Sequence, residues 1–263
     1  MRMVVSQGRS WFAAPIFLLV CAVSAAAELP PLCVEISPES PLLIFHDSGR
    51  DCPNAGAHAQ HAIEAWNTLP EPLRPFSVML VEARGTDQTA RFQWYKDLLA
   101  ALQSANVPAM IRVADADVRR VMPGGRVDEL LQAYSCIKGI QATGLPFEDY
   151  SEFGDPYLGI PAPVRWLIEA IDLAAKNGRL ISIELDQIRW PRAMANATCE
   201  PLYKKLRECA PYVVGVAACR GAHTIPQTTA LMGLWLEGAL GNWGVGPQSA
   251  WYSDALFVAP GVF

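Results

Sequence analysis

Short apolar runs separated by longer amphipathic stretches set the rhythm of this chain. Leu42-Leu43-Ile44-Phe45 reads as a buried strand ending in His46-Asp47-Ser48-Gly49. Ser77 to Ala83 is a second strand, entered through Pro70-Glu71-Pro72. Phe92 to Ala105 carries apolar residues at helical spacing, and Val107 to Val113 is a third strand leading to Asp115 and Asp117. Val127 to Tyr134 reads as a short helix and Ile137 to Ala142 as a fourth strand. Pro163 to Asn177 is the clearest helix, closed by Gly178 as a C-terminal cap. Leu180 to Leu185 is the fifth strand, ending at Asp186. Pro201 to Cys209 forms a helix, Val213 to Ala218 a sixth strand, and Leu231 to Leu236 a seventh.

Strands that alternate with helices imply a parallel sheet with right-handed crossovers. The fold expected is therefore α/β, a (β/α)8 TIM-like barrel. The sequence ends at Phe263, soon after Trp251-Tyr252, so the barrel is expected to be incomplete at its C-terminus, without an eighth strand. No repeat, linker or charge block divides the chain, and residues 28–263 are expected to form one domain.

Composition agrees with a folded chain, since 51% of the 263 residues are hydrophobic and only 18% are charged. The formal charge is −5, and no Lys/Arg cluster is present, which argues against a nucleic-acid partner. Residues 1–27 read as a signal peptide. Arg2 and Arg9 form the positive n-region, Trp11 to Val23 the apolar stretch, and Ala25-Ala26-Ala27 the small-residue cleavage pattern. That apolar run is shorter than the roughly 20 residues a membrane span requires. The expectation is a secreted protein with no membrane association after signal cleavage.

Six cysteines follow the signal segment, an even number that suggests disulfides in an exported chain. Sequence separation favours Cys33 with Cys52, and Cys199 with Cys209 or Cys219. No Cys-x-x-Cys pair supports a zinc site. His58 and His61 are three apart on one helical face, but no third ligand completes a set, so they read as solvent-facing helix residues. Neither metal nor cofactor is expected. Asn196-Ala197-Thr198 is a glycosylation acceptor pattern.

In a parallel barrel the reactive groups lie at the C-terminal ends of the strands. On this reading those ends carry His46 and Asp47, Glu82 and Arg84, Asp115 and Asp117, Glu184 and Asp186, and Glu237. Glu184 alternates with Ile183 and Leu185, which directs it toward the barrel interior. Acids dominate, and aromatic residues stand near them: Trp190, Trp235, Trp243, Trp251 and Tyr252. Carboxylates beside open indole faces suit carbohydrate chemistry, since paired carboxyl groups do acid and base work at a glycosidic bond. The same residue types also serve structural ends, with Trp in cores and Asp115 or Asp117 as helix caps.

A series of segments carries a family resemblance. Ser37-Pro38-Glu39-Ser40-Pro41-Leu42, Trp66-Asn67-Thr68-Leu69-Pro70, Ile137-Lys138-Gly139-Ile140, Gly178 to Gln187 and Gly233 to Tyr252 fall in the order seen in glycoside hydrolase family 98. The chain resembles the catalytic barrel of that family. The resemblance implies a secreted endo-β-galactosidase that cleaves blood-group-type glycans with inversion, and an oligosaccharide or glycoconjugate as partner. It implies that Asp186, in Leu185-Asp186-Gln187, activates water. Trp190, Trp235, Trp243, Trp251, Tyr252 and Glu237 are then expected in the sugar groove. Counting from Lys138-Gly139 puts Gly144 where the family's general acid stands. Glu148 is the acid expected to replace it, with Asp149 and Glu152 as alternatives. A further acid near the Trp243 to Trp251 tract is left between Gln248 and Asp254. The rival expectation is a glycan-binding protein on a barrel that has lost its general acid.

Overall fold

The computed structural model describes residues 29–85, 87–115, 121–145, 162–185, 189–219 and 224–247. Within them seven strands alternate with helices. The order is β1 (Leu43–Asp47), α1 (Ala55–Thr68), β2 (Ser77–Val81), α2 (Gln88–Ser104), β3 (Ala109–Ala114), α3 (Gly124–Ala133), β4 (Ile137–Thr143) and α4 (Ala162–Lys176). β5 (Leu180–Leu185), α5 (Arg189–Ala195), α6 (Glu200–Glu208), β6 (Val213–Cys219), α7 (Thr224–Leu236) and β7 (Asn242–Pro247) follow. The strands pair in chain order, every pair parallel. The result is a curled, incomplete (β/α) barrel, as the alternation of elements requires.

One expected strand is a helix. Leu231 to Leu236 forms the end of α7, and β7 starts only at Asn242. Leu231 and Leu234 are buried while Met232, Trp235 and Leu236 are exposed, a three-residue spacing that belongs to a helix and not to a strand. The pattern also gave no element where α5 lies.

Period-two alternation sorts the strand residues onto two faces. Met79, Val81, Ile111, Val113, Ile181, Ile183 and Leu185 belong to the large core between sheet and helices. Val78, Leu80 and Met110 form a separate small cluster with Leu42 and Ile44, on the concave face. Each such buried aliphatic side chain stabilises the fold by about 1.5–3 kcal/mol. Local caps fix the helix starts: Asn54 Oδ1 accepts from the Ala57 N–H, and Asp87 Oδ1 from those of Thr89 and Ala90. Gly178, at φ +63°, closes the chain after α4, as expected.

The N-terminal residues strap the base of the barrel. The Cys33 N–H donates to the Gly178 carbonyl at 2.9 Å, its thiol lies 3.5 Å from the Lys138 carbonyl, and the Tyr212 hydroxyl donates to the Pro30 carbonyl at 2.5 Å. This placement separates the cysteines expected to pair. Cys33 sits at the N-terminal ends of β4 and β5, whereas Cys52 follows the C-terminal end of β1, hydrogen-bonded to Gly49. Cys199 and Cys209 flank the two ends of α6. The nine-residue helix between them sets them ten positions and roughly 15 Å apart, well beyond the 4.4–6.8 Å a disulfide spans between Cα atoms. Cys33, Cys52, Cys136, Cys199 and Cys209 are all free thiols; the side chain of Cys219 lies outside the described residues. Among the described residues no helix is long and apolar enough to cross a membrane.

Candidate functional site

The mouth of the barrel carries a band of polar side chains on the concave face. His46 of β1, Glu82 just beyond β2, Arg112 of β3, Gln141 of β4 and Glu184 of β5 share the parity of the small apolar cluster beneath them, and Arg112 and Gln141 are direct register partners. They join hand to hand across five strands. His46 Nε2 stands 3.7 Å from Glu82 Oε2, and Arg112 Nη1 stands 3.0 Å from the same oxygen. Arg112 Nε donates to Gln141 Oε1 at 3.0 Å, and Gln141 Nε2 donates to Glu184 Oε2 at 3.2 Å. Accepting from Arg112 leaves the Gln141 amide only its NH2 group to offer Glu184, so the guanidinium sets the amide's orientation. The Arg112 backbone carbonyl is held in turn by the hydroxyl of the buried Tyr95, whose pKa burial pushes up to about 12. Glu184 therefore faces inward, as its alternation predicts, and Arg112 and Gln141 complete a site that sequence reading missed.

Next to this band, Asp47 ends β1 on the opposite face and holds the following corner. Its carboxylate accepts the Gly49 N–H at 3.0 Å and meets His61 Nδ1 at 2.9 Å, while His58 Nε2 faces it at 3.6 Å. Burial alone would raise the Asp47 carboxyl. The interactions with His58, His61 and the Gly49 amide outweigh it and hold the group well below the usual carboxylate range. Hydrogen bonding to Asp47 raises His61 in return. His61 is exposed as expected, but His58 is wholly buried, with Trp94 Nε1 donating to its Nδ1 at 3.3 Å. The packing of α1 against α2, which brings the Trp94 ring onto His58, accounts for that difference. Among the described residues no group of three or more His, Cys, Asp or Glu side chains is arranged to hold a metal ion.

Three of the aromatic residues expected in the groove, Trp190, Trp235 and Trp243, occupy other places. Trp190, at the start of α5, is 2% exposed, and its indole N–H donates to the Val216 carbonyl at 3.2 Å, so it packs in the core with no open face. Trp235 is 44% exposed, near the C-terminal end of α7, which lies at the base of the barrel because β7 starts a few residues later. Glu237 follows it at the same end and is bonded to the Tyr203 hydroxyl. Its expected place at a strand's C-terminal end depended on Leu231 to Leu236 being a strand, and the helix reverses it. Trp243, second residue of β7, packs against the large core on the helix-facing side. Asp186, Glu148, Trp251 and Tyr252 lie outside the described residues.

The comparisons with known proteins fit this architecture. The model of glycosyl hydrolase family 98 matches residues 31–258. The chain belongs to this family. Three crystal structures of the catalytic module of a family 98 glycoside hydrolase from Streptococcus pneumoniae TIGR4 are similar to it. One is the native form, one a complex with the H-disaccharide blood group antigen and one a complex with the LewisY pentasaccharide. Each aligns with a TM-score of 0.64 at 22% identity, covering 82% of this chain and 39% of the pneumococcal one. The chain thus spans about two-fifths of the length of those relatives. Among curated proteins none matches.

Within this family 98 barrel, two features bear on chemistry at the mouth. Gly144 takes φ +64° after β4, and its N–H donates to the Glu184 carbonyl at 2.9 Å, so the point where a family acid was sought offers backbone only. At the end of β5, Gln227 of α7 holds Leu185 and Trp190, the described residues on either side of the stretch that contains Asp186. Its Nε2 donates to the Leu185 carbonyl at 2.7 Å, and its Oε1 accepts from the Trp190 N–H at 2.9 Å. No periodic signal singled out Gln227; it is one polar residue on the buried side of α7.

Proposed function

We propose that this chain is a secreted glycan-active protein that hydrolyses β-galactosidic bonds in complex glycans by an inverting mechanism. The observation that carries the reading is the band His46–Glu82–Arg112–Gln141–Glu184 across the mouth of a family 98 barrel. A groove at the strands' C-terminal ends, lined by fixed carboxylates and hydrogen-bond donors, suits sugar hydroxyls and a reacting glycosidic bond. The blood-group saccharides in the pneumococcal structures support a galactose-containing oligosaccharide as partner. In this reading Asp186 is the carboxylate that activates water. Glu148 supplies the proton to the leaving oxygen, across a gap of roughly 6.5–9.5 Å that admits the water. Glu184, held by Gln141, orients a sugar hydroxyl. The test is release of oligosaccharide from blood-group-type β-galactosides by the native chain, Asp186→Asn and Glu148→Gln. Hydrolysis lost in both variants, with anomeric inversion seen by NMR in the native reaction, is the expected result. Equal rates in all three proteins, or retention of configuration, overturn it.

Gly144 favours a second reading, in which the mouth binds glycans without cutting them. Glycan-array binding by the native chain with no hydrolysis over prolonged incubation selects that reading. Absence of both binding and hydrolysis removes the two together.

A further inference from the structure

A cavity of about 190 Å3 opens at the C-terminal end of β2, lined by Glu82, Ala83, Arg84, Gly85 and Arg91. It is smaller than the roughly 300 Å3 at which whole-ligand pockets begin, so it has room for one substituent of a larger molecule. Its walls bring two guanidinium groups together with one carboxylate, and that carboxylate is already engaged: Glu82 meets Arg112 at 3.0 Å and His46 at 3.7 Å. Two of the three charged side chains that line the cavity are guanidinium groups, in a chain whose overall charge is −5.

Arg91 is only 3% exposed, an unusual burial for a residue of its type. Arg84 adds the more telling feature, a buried Nε with no hydrogen-bond partner. Leaving such a donor unmet carries the full desolvation penalty of a charged group, which an acceptor in the cavity removes. A guanidinium presents its donors in a planar fork that matches a carboxylate or sulfate two bonds at a time. Gly85 keeps the space open. At φ +149° it runs so close to α2 that an added Cβ would stand 2.8 Å from the Arg91 nitrogen and 3.0 Å from its Cγ.

We infer that this cavity is a subsite for the carboxylate or sulfate group of an acidic saccharide, held by Arg84 and Arg91. The inference rests on the glycan reading, because Glu82 belongs both to the cavity and to the polar band of the mouth. A sugar seated on the band lies one side chain away from the two arginines. The negative overall charge and the small volume of this cavity suit one acidic substituent and not a polyanion.

The test uses the full chain and isothermal titration with four monosaccharides: glucuronate and galactose 6-sulfate against glucose and galactose. The acidic sugars are expected to bind at least tenfold more tightly than their neutral partners. Arg84→Gln is expected to bring that preference to within twofold, and Arg84→Lys to retain part of it, with unchanged circular dichroism and melting. Equal binding of acidic and neutral sugars by the native chain overturns the inference, as does an undiminished preference in Arg84→Gln. Should Arg84→Gln fail to fold, a preference undiminished in Arg84→Lys overturns it as well. The two readings fail separately. Neutral blood-group glycans bound or cut without any acidic preference remove only the subsite. An acidic preference without any action on neutral β-galactosides keeps the subsite and removes the proposed substrate.

Discussion

Gln227 of α7 donates its side-chain amide to the carbonyl of Leu185, the last residue of β5, at 2.7 Å and across 42 residues of chain. The same side chain accepts from the backbone of Trp190, so a helix four elements further along the chain holds the strand end that leads to Asp186.

Replacing Gln227 by Met keeps the volume but orphans two buried backbone groups. The expected loss of stability is about 1–3 kcal/mol, read from the urea midpoint. Under the proposed function the variant also loses turnover beyond what its folded fraction explains, since the β5 end is no longer fixed.

Arg112 bridges Glu82 and Gln141, with both charged side chains 16% exposed. Arg112→Met removes the guanidinium from a partly buried carboxylate, and a destabilisation of about 2–4 kcal/mol is expected. Adding Glu82→Gln should return part of that loss. A double-mutant cycle by chemical denaturation measures the coupling, and strict additivity would mean that the pair is not energetically linked.

The corner held by Asp47 titrates in two directions. His61 is raised above its ordinary 6.5, so its contribution is complete below that pH and fades as pH rises through the folded value. Asp47 is depressed below its ordinary 3.8, so its contribution is present above that pH and is lost only as acid reaches the folded value. The corner is therefore strongest between about pH 4 and pH 6.5. The stability gap between the native chain and Asp47→Asn should be widest there and narrow toward pH 8. Because His61 is largely exposed, its share stays below about 1 kcal/mol.

Thiol titration of the unfolded, unreduced protein should count at least five free groups, those of Cys33, Cys52, Cys136, Cys199 and Cys209. Melting with and without reductant should then coincide. A count below five, or a fall in melting temperature on reduction, would show bridges absent from this arrangement.

The scaffold was largely legible in the chain. The strand expected at Leu180–Leu185 is β5 to the residue, and the first four strands and the sixth lie within a few positions, because parallel strands buried on both faces leave short apolar runs. α7 was misread for a physical reason: Leu231 to Leu236 is uniformly apolar on a helix whose outer face is itself apolar, so no polar stripe marks its period. That one error carried Glu237 to the wrong end of the barrel. Glu184 could be placed from its alternation alone. Arg112 and Gln141 stood in plain view as polar residues inside the apolar runs of β3 and β4, but their meaning depends on the cross-strand register that joins them. The indole rings were the least legible, since residue type says nothing about which face of an element is covered.

The strap beneath the barrel has a mechanical consequence. Pro30 and Cys33 are fastened to the segments that open β5 and β6 and to the start of β4, far round the sheet from β1. Force applied at the amino end would thus be borne first at the floor of the molecule, and the first strand would feel tension only after those ties had given way. A tether placed upstream of Leu29 loads the middle of the sheet, and the order in which the strands peel apart under traction should begin there.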